Sequence, residues 1–382
     1  MGLRGPLAGV KVLELAGLGA LPYGSLRLAE MGAEVFRIDR LSDVASEKSA
    51  QGDTLWNRGR RSVAVDLKHP AGVEVVLRLS ERVEVFLEAF RPGVVERLGV
   101  GPNEVMARNP KVVYGRLTGW GQNGVLSRSA GHSLNYEAIT GLIRSVGPHG
   151  GAPVPQLNVH GDFAGGGLTM AYGVVCALLE ARQSNVGQVL DVAMVDGAAS
   201  LVGMFYPLAA SGAYSEDLGT NLLDGGAPFY AIYECADGGY MSVAPLEPNF
   251  WSLFLSLIGV DESELPPQYD RDGWPFVKTR LAKVFASKSR GEWCEILEGT
   301  DACCAPVLTF NEARAYQHNV DRQTFVGEDG TEVAPIPRFS RTPGESKLAP
   351  AWVGADTDKV LTEFGFSQNE ITHLRSVNAI DR

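Results

Sequence analysis

The stretch from Val10 to Ile38, VKVLELAGLGALPYGSLRLAEMGAEVFRI, decides the fold. Val10 to Leu15 is an apolar run that reads as a strand, Leu21 to Met31 is amphipathic and reads as a helix, and Glu34 to Ile38 returns to a strand. The same alternation continues outward. Ala71 to Leu79 reads as a helix, and Val83 to Leu87 and Val112 to Leu117 read as further strands. Strands that alternate with helices place this part of the chain in the α/β class, with a mostly parallel sheet and right-handed crossovers.

The turn between the first strand and helix, Gly17-Leu18-Gly19-Ala20-Leu21-Pro22, is spaced like a dinucleotide fingerprint. Asp39 stands at the end of the second strand, where a ribose-binding acid would be. Pro22 occupies the place of the third glycine, and Pro suits the first turn of a helix rather than close helix-to-strand packing. The turn therefore argues against nicotinamide binding. Between Ser42 and Arg61 the periodicity lapses into an expected loop, and Arg58, Arg60 and Arg61 gather beside Trp56. On charge alone this is a solvated surface. An exposed Trp beside three Arg also offers stacking for a purine and cations for phosphate, which makes Arg58 and Arg61 candidate contacts for a phosphorylated ligand.

With 382 residues, 45% hydrophobic and 21% charged, the chain can form two domains around a sizeable core. A net charge of −11 argues against a nucleic-acid partner. It leaves room for a local Arg cluster facing one polyanionic ligand. Five Cys, among them the neighbours Cys303 and Cys304, show neither paired disulfide spacing nor a metal-binding pattern. They read as reduced, structural thiols, and no metal site is expected. No basic stretch leads into an apolar segment at the N-terminus, Met1-Gly2 lacks a myristoylation pattern, and the C-terminal Ile380-Asp381-Arg382 is not a peroxisomal signal. A cytoplasmic protein is expected, with a mitochondrial or peroxisomal place open. The most apolar window, Leu168 to Leu179, is too short to cross a bilayer, so it reads as a buried helix and no membrane span is expected.

From about Leu201 the pattern changes. Ser200 to Ala210 reads as a long helix, and the turn-rich Ser211 to Gly226 follows. Phe229 to Glu234 and Tyr240 to Ala244 read as strands joined by the hairpin signal Asp237-Gly238-Gly239, and Trp251 to Ile258 and Trp274 to Ala286 read as helices. The organisation expected is a large domain opening with residues 1–200, a linker over 201–224, a smaller α+β domain over 225–307, and a return to the large domain over 308–382.

Two Gly-rich segments carry the chemistry. AGHSLNY, from Ala130 to Tyr136, is followed about thirty residues later by GDFAGGG, from Gly161 to Gly167. His132 can take and give a proton near neutral pH, and Asp162 can do so if its surroundings raise its pKa. Together they suit proton transfer at a carbon acid. From spacing alone, His132 reads equally as a turn residue, and Asp162 as the N-cap of the helix that follows.

These two segments resemble the α-methylacyl-CoA racemases within the family III CoA-transferase superfamily, as do GQVLDVAMVDG, LDGGAPFY from Leu223 to Tyr230 and Glu247-Pro248-Asn249-Phe250. The similarity runs from PLAGVKVLELAG to APIPRFSRTP. It implies a large Rossmann-like domain made from both chain ends, a small domain between them, and an interlocked homodimer with sites between domains of different subunits. It also implies racemisation of (R)- and (S)-2-methylacyl-CoA through an enolate. His132, oriented by Glu247, and Asp162 would be the two bases, and Tyr136 would line the same pocket. The resemblance assigns CoA phosphate contacts to Arg40 and Arg91, with Arg37 a further candidate. No cofactor is implied, because CoA enters as part of the substrate. The N–H groups that open the helix after Asp162 are expected to receive the enolate oxygen.

Two residues depart from the pattern. Ser133 stands where the racemases carry Asp, and His160 stands where a small or apolar residue is usual. Within the same superfamily, a CoA-transferase would use Asp162 as a nucleophile, and a non-catalytic CoA-thioester-binding protein is a third reading.

Overall fold

The computed structural model describes residues 5–44, 56–327, 329–345 and 349–381. These fall into two compact units, one of residues 1–140, 156–201 and 333–382, the other of 141–155 and 202–332. The expected small domain, 225–307, lies inside the second unit. The stretches 202–224 and 308–332, expected as linker and return, group with it.

The first unit is built on a six-stranded parallel sheet in the order β3-β2-β1-β4-β5-β6. Its strands are β1 Lys11–Leu15, β2 Glu34–Arg40, β3 Arg60–Val65, β4 Val85–Glu88, β5 Val113–Thr118 and β6 Val189–Ala193. This is the doubly wound order of open α/β sheets, and its direction reverses between β1 and β4. Alternation along the strands divides the core into two layers. Leu13, Leu15, Phe36, Ile38 and Phe86 face the layer completed by the helices Pro70–Ser80, Thr357–Glu363 and Gln368–Ser376. Val12, Val35, Val85, Leu87 and Val113 face the layer completed by the helices Ala20–Glu30 and Thr169–Ser184.

Two of these strands were not expected. β3 falls partly in the segment read as a loop, because Arg60 and Ser62 break its apolar run. Arg60 is nevertheless 1% exposed and forms a two-pronged ion pair with Glu14, which is 0% exposed, at 2.7 and 2.9 Å. β6 is one of the sheet's two edge strands, with Val189 and Asp191 exposed, so it lacks a continuous apolar signature.

The helix after GDFAGGG also differs from expectation. It begins at Val159, runs as a π-helix to Leu168, and continues as an α-helix from Thr169 to Ser184. Asp162 thus lies in its first turn, and the N-cap is Asn158. The glycines of the motif are packing residues. A Cβ on Gly197 would stand 2.0 Å from the Gly165 carbonyl oxygen, and one on Gly24 would stand 2.5 Å from that of Gly167, so both neighbouring helices meet this one through bare backbone. Among the described residues this one helix, Val159–Ser184, is long and apolar enough by length and composition to cross a membrane. Its Met170, Val174, Ala177 and Leu178 are buried against the sheet, as in the core helix of an α/β unit.

The second unit carries an antiparallel sheet, β7 Ala231–Glu234, β8 Tyr240–Val243 and β9 Cys304–Val307, in that order. The Asp237-Gly238-Gly239 turn joins β7 and β8 as the sequence indicates. Trp251, Phe254, Phe285 and Trp293 fill its core from the helices Pro248–Leu257, Trp274–Phe285 and Arg290–Leu297. The long helix expected over Ser200 to Ala210 is instead two helices, Met194–Leu201 and Phe205–Ala210. Gly203 lies in the turn between them, where the chain loses little by leaving the helix.

Candidate active site

A cavity of about 610 Å³ opens in the first unit at the carboxyl ends of β1, β2, β4 and β5. This is the position at which open α/β sheets take ligands, beside the reversal of strand order. Its lining brings together Arg40 at the end of β2, Arg91 after β4, Trp120 after β5, and His132 and Tyr136. Arg40 and Arg91 are exposed, and among the described residues neither has a carboxylate partner. Arg37 also reaches the cavity, but it is 3% exposed and its Nε donates to both oxygens of Asp39, at 2.8 and 3.0 Å.

The Trp56 cluster has a different arrangement from the one expected. Trp56 is half-buried and packs on Tyr23 and Phe163, with ring centroids 5.7 and 5.4 Å apart. Arg58 is buried, with Nη2 3.5 Å from Glu30, and Arg60 is committed to Glu14. Arg61 donates to Glu363 at 2.6 Å and stacks on Phe36. Arg58 and Arg61 are absent from the cavity lining, so the exposed Trp with three free cations is corrected to a packed aromatic cluster and three ion pairs. The packing explains the change, because Arg58 and Arg60 find carboxylates inside the fold and Arg61 meets Glu363 at the surface. Residues 45–55 of the segment lie outside the described residues.

His132 is exposed at the N-cap of the short helix Ser133–Ala138, and its backbone N–H donates to Asn135 Oδ1 at 3.0 Å. Tyr136, one turn along, packs edge-on against Trp120 at 4.7 Å and donates its hydroxyl to the Gly131 carbonyl. A Cβ on Gly119 would stand 2.0 Å from the Tyr136 ring, so only glycine leaves room for it. Burial pushes the Tyr136 phenol up, the Asp162 charge adds to this, and Arg91 opposes it.

Asp162 is not among the residues that line the cavity, but its charge acts on Tyr136, which does line it. Its Oδ2 lies 3.6 Å from the Cβ that Gly19 lacks, and its backbone N–H donates to Ser133 Oγ at 3.1 Å. Burial raises the pKa of its carboxyl; the Asn158 amide, donating at 2.9 Å, opposes this, Glu137 adds to it, and His132 opposes it. A carboxyl in this setting holds a proton more readily than one in water. Two N–H groups of the first turn, those of Gly161 and Asp162, already have partners in Glu137 Oε1 and Ser133 Oγ. Those two are therefore not open donors for an oxyanion.

Sequence reasoning missed Asn158 and Glu137. Asn158 lies four residues before Asp162, which is the spacing of side-chain neighbours on a helix, but that signal needs a helix start at residue 159. Glu137, four residues past Ser133, has the same spacing on the preceding helix, and Ser133 Oγ donates to its Oε1 at 2.6 Å.

Glu247 belongs to the second unit, where it is the exposed N-cap of the helix Pro248–Leu257. Gln268 and Tyr269 fix the loop before it by donating to the Leu246 carbonyl at 3.0 and 2.6 Å. In LDGGAPFY the Asp is a turn organiser: Asp224 accepts from the N–H groups of Gly219, Asn221 and Gly226. The five cysteines are free, and burial pushes the thiols of Cys294 and Cys304 up to about 11 and about 12, which keeps them protonated and inert.

The sequence and the fold have counterparts among known proteins. The alpha-methylacyl-CoA racemase of Mus musculus is 45% identical over 379 residues, covering 98% of this chain and 97% of the relative. That of Homo sapiens is 40% identical over 386 residues, with 98% and 97% covered. The crystal structure of a CAIB/BAIF family protein from Brucella suis matches the fold with a TM-score of 0.81 at 20% identity, over 94% of this chain and all, 100%, of that one. A hypothetical protein from Mycobacterium tuberculosis gives a TM-score of 0.81 at 26% identity, with 94% and 100% covered. The model of CoA-transferase family III matches residues 7–357, and the chain belongs to that family.

Proposed function

We propose that the protein is an α-methylacyl-CoA racemase that interconverts (R)- and (S)-2-methylacyl-CoA thioesters. The observation that carries this reading is the placement of His132 at a cavity lined by Arg40 and Arg91, with Asp162 on an adjoining helix start whose backbone N–H donates to the hydroxyl of Ser133, the residue after His132. The thioester acidifies the α-proton. One group removes it, an enolate forms, and the other returns a proton to the opposite face. Each well-placed acid or base is worth about 10²–10⁴-fold. Burial favours the protonated form of Asp162, which suits a group that must carry a proton for half of each cycle. Glu247 is proposed to orient His132, and CoA enters only as part of the substrate, with no further cofactor.

The test is solvent deuterium incorporation at the α-carbon of each enantiomer, followed by NMR. Exchange from both, with loss of optical purity, is the expected result. Acyl transfer to an acceptor carboxylate without α-exchange would instead make Asp162 the nucleophile of a CoA-transferase.

Arg40 and Arg91 are proposed to hold the phosphates of CoA, with Arg37 behind them. Arg40→Ala and Arg91→Ala are each expected to raise KM for the acyl-CoA roughly tenfold, the value of a charge-assisted contact, with kcat little changed. Initial rates across a range of substrate concentrations check this, and a drop in kcat alone would refute it.

A homodimer is also proposed. Supporting it is the apolar surface of the helix Val159–Ser184, where Leu168, Tyr172 and Leu179 are 50, 70 and 57% exposed. A cytoplasmic place fits the five free thiols.

A further inference from the structure

Glu137 is a buried carboxylate beside the site that the proposed reaction does not use. It is 1% exposed, and its Oε1 accepts from Ser133 Oγ at 2.6 Å and from the Gly161 N–H at 2.8 Å. Its Oε2 is buried without a hydrogen-bond partner among the described residues. A buried carboxylate oxygen left without a donor is costly, so its retention calls for a purpose. The two groups it does bind bracket Asp162: Gly161 precedes it in the chain, and Ser133 accepts from its N–H.

We propose that Glu137 is a positioning residue for Asp162. Its carboxylate clamps the turn that presents Asp162, through Ser133 and Gly161, and places a second acidic group beside it. This rests on the reading of Asp162 as a proton carrier. Burial is the main cause that raises the proton affinity of Asp162; the Asn158 amide opposes it, Glu137 adds to it, and His132 opposes it. Tyr136 also faces Asp162, and Arg91 acts on Tyr136 in turn. The helices Ala20–Glu30 and Met194–Leu201 meet the Asp162 helix through Gly24 and Gly197. The titratable groups on these two helices are Tyr23, which packs on Phe163, Arg27 and Glu30, which pair with each other, and Asp196.

The first measurement is the titration of the Asp162 carboxyl by ¹³C NMR in the full chain, assigned with Asp162→Asn, in wild type and Glu137→Gln. Gln keeps the shape and an acceptor for Ser133 and Gly161 but removes the charge. The midpoint is expected to fall by on the order of one pH unit. An unchanged midpoint overturns the proposal.

Glu137→Asp, which keeps the carboxylate but shortens its reach to Ser133 and Gly161, is expected to leave the midpoint near that of wild type, and serves where Glu137→Gln does not fold. A midpoint that falls in it by on the order of one pH unit is equally fatal. The second measurement is the pH profile of α-deuterium exchange for the enantiomer whose proton goes to Asp162. Loss of Glu137 should shift its acid limb down by the same amount, whereas a purely structural defect would lower the rate without moving the limb. Absence of exchange in wild type together with a shifted Asp162 midpoint would sink the racemase reading and leave the role of Glu137 standing.

Discussion

Asp162→Ala is expected to lower kcat/KM for racemisation by about 10²–10⁴-fold, the contribution of one general acid or base. It should not abolish exchange. With Asp162 gone, His132 can still remove the α-proton of the enantiomer it faces and return deuterium to that same face, so exchange proceeds there with retention of configuration. His132→Ala should give the mirror result, with exchange surviving only from the other enantiomer. This pattern separates two bases acting on opposite faces from a single base. It also separates racemisation from acyl transfer, in which Asp162 would be indispensable for every product and His132 dispensable. The measurement is enantiomer-resolved NMR of the α-position in deuterated solvent. Equal loss of exchange from both enantiomers in either variant would contradict the assignment. The environment of each base gives the asymmetry a physical cause. His132 is exposed at a helix start, whereas Asp162 is half-buried with Asn158 on one oxygen and Glu137 nearby, so the two are tuned by different surroundings.

Much of the fold was legible because burial enforces periodicity. β1, β2, β4 and β5 are buried on both faces and appear as apolar runs, and their boundaries lie within two residues of the sequence reading. β3 was hidden by Arg60, whose charge looks like a loop until Glu14 is seen opposite it. β6 was hidden by exposure. At the site, Arg40, Arg91, His132 and Tyr136 were found from motifs and strand ends, and the structure brings them to one cavity. Arg58 and Arg61 were misplaced for the same reason as β3, since a linear sequence shows cations but not the carboxylates Glu30 and Glu363 that fold back to meet them. Glu137 was missed because its significance lies in burial, which nothing in SLNYEA reveals.

The pair that hid β3 also gives the largest expected effect on stability. Arg60 Nη1 donates to both oxygens of Glu14, and its Nη2 donates to Asn57 Oδ1 at 2.7 Å. Both side chains are essentially inaccessible, at 1 and 0% exposed. Arg60→Ala would leave the Glu14 carboxylate in the sheet without its counter-ion, which costs roughly 3–5 kcal/mol. For a unit of this size that corresponds to a fall in Tm on the order of 10 °C. The double variant Glu14→Leu, Arg60→Met removes both charges and fills most of the volume, so it should recover the greater part of the loss. Arg60→Lys should fall between, keeping the charge but losing the two-pronged geometry and the bond to Asn57. Urea midpoints of the four proteins measure this directly. If Arg60→Ala costs less than about 1 kcal/mol, the value of an exposed pair, water reaches Glu14 in solution. Its worth lies in the coupling between charges: the double variant should be more stable than Arg60→Ala alone even though it carries one more substitution.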